Sequence, residues 1–528
     1  MKINKYSFLI YFFLFEKLAL AQAPAIQWAK CFGGTDGDWG EDVIQTRDGG
    51  FMICGRALSD DGDVIGNHNQ SGEAWLIKTD SVGIIQWNKC FGGSRDESAN
   101  SIKETPDGGY IFAGEAHSVD GDVSGLHGTS FNDDYWIVKI DSIGNIQWQK
   151  CLGGTMDDEA TDIILTNDGG YIATGNSNSM DGDVTGNHNH DHWVVKIDSV
   201  GNLQWQKALG SYDFDQADAI LKSGIGYLEM GDAASNSGDV TGLHDSIQGF
   251  GYPDAWVVKL DNVGNIIWQK CYGGSFSEDA IGGLSLQNGN FLIGGSTDSN
   301  DGNITGINGI VNAFLLKIDS MGNILFHRCF GQYFEEAAGI SATNDGGVVM
   351  TGRTGSNSCG YGAIDDFWIV KIDSSGNMQW SKCLGGYDDE DSKSIRQTSD
   401  GGYIVVGTTT SPNGGDVFGL HSNMTEDYWV VKLSPAPAGI SEAYNQVTDF
   451  TAHFDDSGNL GIGFFANNQD MIQVGVIDIT GREIYDETLI PYNGYNTNEI
   501  YIGKMGSGVY MIKLLTKSRS IVKKMIVN

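Results

Sequence analysis

Apolar and polar residues change places along this chain in short runs, and the runs return in a fixed order. In TDIILTNDGGYIATGNS (161–177) two apolar-rich segments flank Asp-Gly-Gly, a turn that needs positive φ, so the pattern predicts a β-hairpin. A polar loop of roughly 20 residues follows. HWVVKIDS (192–199) then reads as a β-branched strand, and DSVGN joins it to the next strand at LQW. Each unit therefore supplies four antiparallel strands.

The unit recurs. IQWAKCFGG (26–34) returns as IQWNKCFGG (85–93), IQWQKCLGG (146–154), LQWQKALGS (203–211), IIWQKCYGG (266–274), ILFHRCFGQ (324–332) and MQWSKCLGG (378–386). These seven copies are spaced by 54 to 63 residues. Four-stranded units at this period predict an all-β, seven-bladed β-propeller over 22–433, with an eight-bladed ring or an open solenoid as the alternative. The ends fit closure: residue 26 opens a lone IQW strand, whereas the last unit stops after YWVVKL (428–433). Pairing the two would hide a sheet edge.

Composition agrees, with 75 glycines, 7 prolines and 11% aromatics in 528 residues. The net charge of −36 argues against nucleic acid and anionic membranes as partners. At the start, basic MKINK precedes apolar YSFLIYFFLF and a small-residue ALA at 19–21, although Glu16 and Lys17 interrupt the run. This predicts a signal peptide over 1–21 and export; no apolar run reaches the ~20 residues of a transmembrane helix.

Seven copies in one chain act as an internal control: what every blade carries is scaffold, and a unique site should depart from the repeat. Cys31, Cys90, Cys151, Cys271, Cys329 and Cys383 share one position, Ala208 filling it in the fourth unit, and read as small buried residues. A carboxylate follows that position by seven residues: Asp38, Glu97, Asp158, Asp215, Glu278, Glu336 and Glu390. These acids are expected either to bind across blades or to ring the channel mouth and attract cations. A loop of the form DGDVTGNH (181–188) occurs in six units. Turn chemistry accounts for its Asp-Gly steps, and calcium is the ion such an oxygen-rich loop would take. In the third unit Asp181, Asp183, His188, His190 and His192 form a candidate metal set, with His190 and His192 peculiar to it and suited to zinc or copper.

W-x-K-C-x-G-G, D-G-G-Y and W-V-V-K-I-D-S-x-G-N together resemble the repeat of a bacterial seven-bladed β-propeller family, a resemblance that implies the fold and leaves the function open. After SPAPAG (434–439) the repeat ends, and 434–441 reads as a linker. Beyond it, VIDITGREIY, GSGVYMIKL and KKMIV resemble the C-terminal sorting domain of type IX secretion cargo of Bacteroidota. That resemblance implies a small β-sandwich over 442–528, recognition by the type IX machinery, and an extracellular or outer-membrane surface location reached through the periplasm. It also brings to mind Asp-Ser-apolar O-glycosylation signals, for which DSV at 80 and 198 are look-alikes.

No Gly-x-Ser-x-Gly elbow, phosphate loop, His-Glu-x-x-His or Cys-x-x-Cys occurs. The reading is a secreted or surface-attached module binding a glycan or protein. Its candidate contacts are aromatics that depart from the repeat: Trp39, Phe131, Phe250, Tyr252, Phe276 and Tyr387. A glycoside hydrolase-like enzyme on the same scaffold and a passive structural surface protein are the alternatives.

Overall fold

The computed structural model describes residues 22–436 except 69–70, 130, 245–251, 356–364 and 423–424, together with strands between 447 and 527. The expected signal peptide, most of the linker, Phe250 and Cys359 lie outside the described residues. Seven four-stranded antiparallel sheets occupy 26–433. Blade 1 comprises Asp38–Gln45, Phe51–Ala57, Glu73–Thr79 and Ile85–Phe91, and the following blades repeat this order from innermost to outermost strand. Blade 7 comprises Glu390–Gln397, Tyr403–Thr409 and Asp427–Leu433, and its fourth strand is Ile26–Phe32 from the start of the chain. Ile26 faces Leu433 and Phe32 faces Tyr428, so the ring closes through backbone hydrogen bonds.

In every blade no strand is more buried than the third. Asp134–Ile140, Asp191–Ile197 and Asp427–Leu433 are covered along their whole length, which is why they read as continuous apolar runs. Trp75, Trp136, Trp193, Trp256 and Trp429 of these strands are fully buried between blades. At the third-strand end Lys78 reaches Asp48 of its own blade's hairpin at 2.8 Å, and Lys139 reaches Asp107 at 2.9 Å, fixing one end of the blade. Of the repeated cysteines, Cys31, Cys90, Cys151 and Cys271 are free and buried, as expected; Cys329 is free but partly exposed. Cys383 departs from that expectation, because its sulfur is disulfide-bonded.

Six of the seven innermost strands carry a β-bulge at one register, for example between Gly40 and Asp42, Ala160 and Asp162, and Ser392 and Ser394. The extra residue on the bulged strand stands at the channel wall. In all blades the connector from an outermost strand to the next innermost strand leaves from the same end as the loop between second and third strands. One face of the ring, the upper face below, therefore gathers all the long loops.

Residues 437–528 separate from 22–436 as a compact unit. It is built from a three-stranded sheet (Val447–Phe454, Asn459–Ala466, Gly494–Tyr501) and a four-stranded one (Glu483–Leu489, Ile472–Asp478, Gly508–Leu515, Ser520–Val527). Leu460, Ile462, Val474, Val476, Ile512 and Leu514 are buried within it.

Candidate binding face

The repeated loop is a latch. Its first Asp caps the incoming connector: Asp61 accepts from the Thr35 N–H at 2.7 Å, and Asp181 from the Thr155 N–H at 2.8 Å. Its His binds the carboxylate that opens the third strand and reaches the next blade with its other nitrogen. His127 Nδ1 lies 2.7 Å from Asp134 and Nε2 lies 3.7 Å from Asp183; His421 lies 2.7 Å from Asp427 and 3.5 Å from Asp63. The loop glycine is obligatory, since Gly62 has φ +65° and a methyl there would stand 2.3 Å from the Gly33 carbonyl.

This geometry disperses the expected metal set. Asp181 holds Thr155, Asp183 faces His127, and His188 Nδ1 binds Asp191 at 3.0 Å. The His190 ring stacks on Phe214 at 3.7 Å and donates through Nδ1 to the Asp215 carbonyl at 2.9 Å. His192 is fully buried, with Nδ1 at 2.7 Å from Glu229 and Nε2 at 2.9 Å from the Asp232 carbonyl. The five side chains do not converge because only His192 lies inside the strand; the others belong to the latch or its exit. Among the described residues no group of three or more His, Cys, Asp or Glu is set to hold a metal ion. Both nitrogens of His192 face acceptors, so the ring is an imidazolium. Although burial opposes the charge, Glu229 outweighs it and holds the His192 pKa at about 9.

Of the two expectations for these acids, bonding across blades or a ring at the channel mouth, the ring is not what the structure has, because the acids are interior. Asp38 is buried and accepts from the Gly34 N–H at 2.9 Å and the Ser59 hydroxyl at 2.8 Å; Glu97, Asp158, Asp215, Glu278 and Glu390 are buried likewise. In the sixth unit the position belongs to Glu335, not Glu336, because the connector after Gly331 is one residue shorter. Glu336 pairs with Arg353 at 2.6 Å.

The channel wall falls three residues further on, at the bulge. Glu41, Asn100, Thr161, Asp218, Ile281, Ala338 and Lys393 occupy this column, seven different residues where flanking columns repeat. That variability was the legible signal, and the sequence reading passed over it. The channel cavity is about 220 Å³. On one side Lys103 bridges Asp42 (3.3 Å) and Asp162 (3.2 Å), and Arg396 reaches Asp42 at 3.0 Å. On the other, burial and the neighbouring Asp279 raise the Asp218 pKa well above the carboxylate range.

On the upper face the aromatics fall into groups. Trp39 is half-buried beneath Arg56, whose guanidinium lies 5.8 Å from the ring, and Phe131 is 79% exposed under Arg95 at 5.1 Å. Tyr252 and Phe276 pack at 5.6 Å, and Tyr387 stands exposed. Tyr212, Phe214 and Tyr333, exposed on equivalent connectors, escaped the sequence reading. A 300 Å³ pocket opens beside Phe214, lined by Asp133, Asp157, Glu159, Asn176, Asn178, His190 and Gln216. His117 binds Asp133 at 2.7 Å, and this bond holds the imidazole pKa at about 9. Burial and then Glu159 push Glu115 up to about 8, while burial and Asp133 raise Glu159. The pocket thus offers hydrogen-bond acceptors, amide donors and an aromatic wall.

Residues 457–528 match the family described as secretion system C-terminal sorting domain. The C-terminal unit is a type IX secretion sorting domain. A sorting domain marks its carrier for the type IX secretion machinery, for export and for a cell-surface or extracellular location. Among the described residues no helix is long and apolar enough to cross a membrane. The chain is 23% identical over 380 residues to the regulatory protein FlaEY of Caulobacter vibrioides, covering 66% of this chain and 39% of that protein's length. Among solved structures, YCF48 bound to D1 peptide is similar at 11% identity, covering 80% of this chain and 99% of that one with a TM-score of 0.39. PorZ, a surface component of the type IX secretion system of Porphyromonas gingivalis, is similar at 9% identity, with 95% and 100% coverage and a TM-score of 0.22.

Proposed function

We propose that this exported propeller is a glycan-binding module whose ligand enters the 300 Å³ upper-face pocket between blades 2, 3 and 4. The observation that carries the reading is the stacked His190–Phe214 wall facing carboxylates and amides in one concavity. A sugar ring presents an apolar face for such a wall and hydroxyls for Asp157, Glu159, Asn176 and Asn178, while the net charge disfavours polyanions. The exposed connector aromatics Phe276, Tyr333 and Tyr387 extend the surface along the next blades for a longer chain. Secretion through a signal peptide over 1–21 belongs to the same reading.

The test is binding of the full secreted chain to a panel of neutral and amino-sugar polysaccharides, with and without chelator. Saturable binding lost in Phe214→Ala supports the reading, and calcium enters it only if chelation abolishes binding. One observation favours a second reading. A raised-pKa carboxyl, Glu159, beside Asp133 and Asp157 is the pairing of acid and base that glycoside hydrolysis uses. New reducing ends that vanish in Glu159→Gln would replace the binding module with an enzyme.

A further inference from the structure

Six of the seven blade junctions bury two acids against one glycine. Asp427 and Asp38 meet at Gly33, Asp134 and Asp158 at Gly153, and Asp254 and Glu278 at Gly273. All six carboxyl groups are at most 1% exposed. A methyl added at Gly33 would stand 2.5 Å from Asp427 Oδ1 and 2.7 Å from Asp38 Oδ2, so both carboxyl groups crowd the same glycine. The donors do not suffice. Asp427 Oδ2 accepts from the His421 N–H and ring, and Asp38 Oδ2 from Gly34 and Ser59. Yet Asp427 Oδ1 has no partner, nor have Asp134 Oδ1 and Asp254 Oδ1.

The chain contains its own control. The fifth unit carries Asn312 where the others have an acid, and its Nδ2 donates to Glu335 Oε2 at 3.4 Å, while its Oδ1 accepts from the Asn308 N–H at 2.6 Å. An amide thus supplies a donor at the atom that is unpartnered elsewhere. We propose that the two-acid junctions are proton-binding sites, each holding one proton shared between its carboxyl groups. Among the described residues no group of three or more His, Cys, Asp or Glu is set to hold a metal ion, and no lysine or arginine pairs with either acid. The charged and polar groups facing each pair are His421, Ser59 and, from the next blade, Asp63 at Asp427 and Asp38; His127, Asp183, Ser177 and Ser179 at Asp134 and Asp158; and His244, Asn303, Thr297 and Ser299 at Asp254 and Glu278.

Burial holds Asp38, Asp134 and Asp158 at about 6 and Glu278 at about 7. Folded values above the unfolded ones mean stability that is complete below about 4 from this source and is lost as pH rises through 6 to 7. The experiment is the melting temperature of the full chain from pH 4.5 to 8.5. Wild type should lose stability toward pH 8.5. Asp427→Asn combined with Asp134→Asn and Asp254→Asn, copying the fifth unit, should flatten that loss, and Asn312→Asp, which adds a pair, should steepen it. If the triple variant fails to fold, Asn312→Asp reads the same property alone. An unchanged pH slope in Asn312→Asp overturns the proposal. So does a wild-type melting temperature at pH 8 that falls with chelator and recovers with calcium, since a cation would then occupy the pair.

Discussion

The His192–Glu229 pair can be removed in two ways that should behave very differently. Both side chains are fully buried, 2.7 Å apart, between blades 3 and 4. Elsewhere the two positions form complementary apolar pairs: Ala313 with Met350, Tyr135 with Ala173, and Phe367 with Val405, each within one buried cluster. His192→Phe alone strands the Glu229 carboxylate in the interior, at a cost of about 3–5 kcal/mol. Glu229→Val alone costs less, because the imidazole can shed its proton. The double variant installs the Phe367–Val405 combination and should return to within about 1 kcal/mol of wild type or exceed it. In a domain of this size the first substitution should lower the melting temperature by on the order of 5–10 °C. Calorimetry of all four proteins at pH 7 measures the cycle. The charged pair contributes fully below about 6.5, the unfolded His value, and its contribution fades as pH rises through about 9. The reasoning is refuted if His192→Phe melts with wild type, or if the double variant is no more stable than that single variant.

Deleting residues 22–32 removes the strand that closes blade 7 and exposes the edge of Asp427–Leu433; the truncated protein should self-associate in sedimentation experiments, and a stable monomer would contradict closure. Gly66→Ala should cost only the ~1–2 kcal/mol of left-handed backbone, since nothing lies within 4 Å, whereas Gly62→Ala should cost ~1–3 kcal/mol more through its clash with the Gly33 carbonyl; equal losses in denaturant titration would deny the latch geometry. His421→Ala removes both latch contacts of blade 7 and should destabilise by ~1–3 kcal/mol, with a wild-type midpoint as the contrary outcome.

The fold was largely legible because a propeller writes one blade seven times, and turn residues such as Asp80 and Gly83, which set the hairpin before IIQW, recur with it. Even the closing strand was visible from the unpaired IQW at the start. Side-chain roles were less so. The acids were found, but whether they bond across blades or line the channel was left open, since spacing in sequence does not say on which side of a bulge a residue turns. Glu336 was misassigned because a one-residue shortening of its connector is invisible to a fixed offset. The candidate metal set read as one cluster in sequence, but the strand begins only at Asp191, so of its three histidines only His192 lies on the strand. Phe214 and Tyr212 were missed because nothing in sequence separates an exposed connector aromatic from a buried one.

The central claim is that ligand binds where blades 3 and 4 depart from the repeat. Titration calorimetry of a neutral oligosaccharide, selected from the panel, into wild type, Phe214→Ala and the opposite-face variant Trp205→Phe measures it most directly. The account predicts binding weakened about tenfold or more by Phe214→Ala and unchanged by Trp205→Phe. Equal affinity in all three proteins would contradict it.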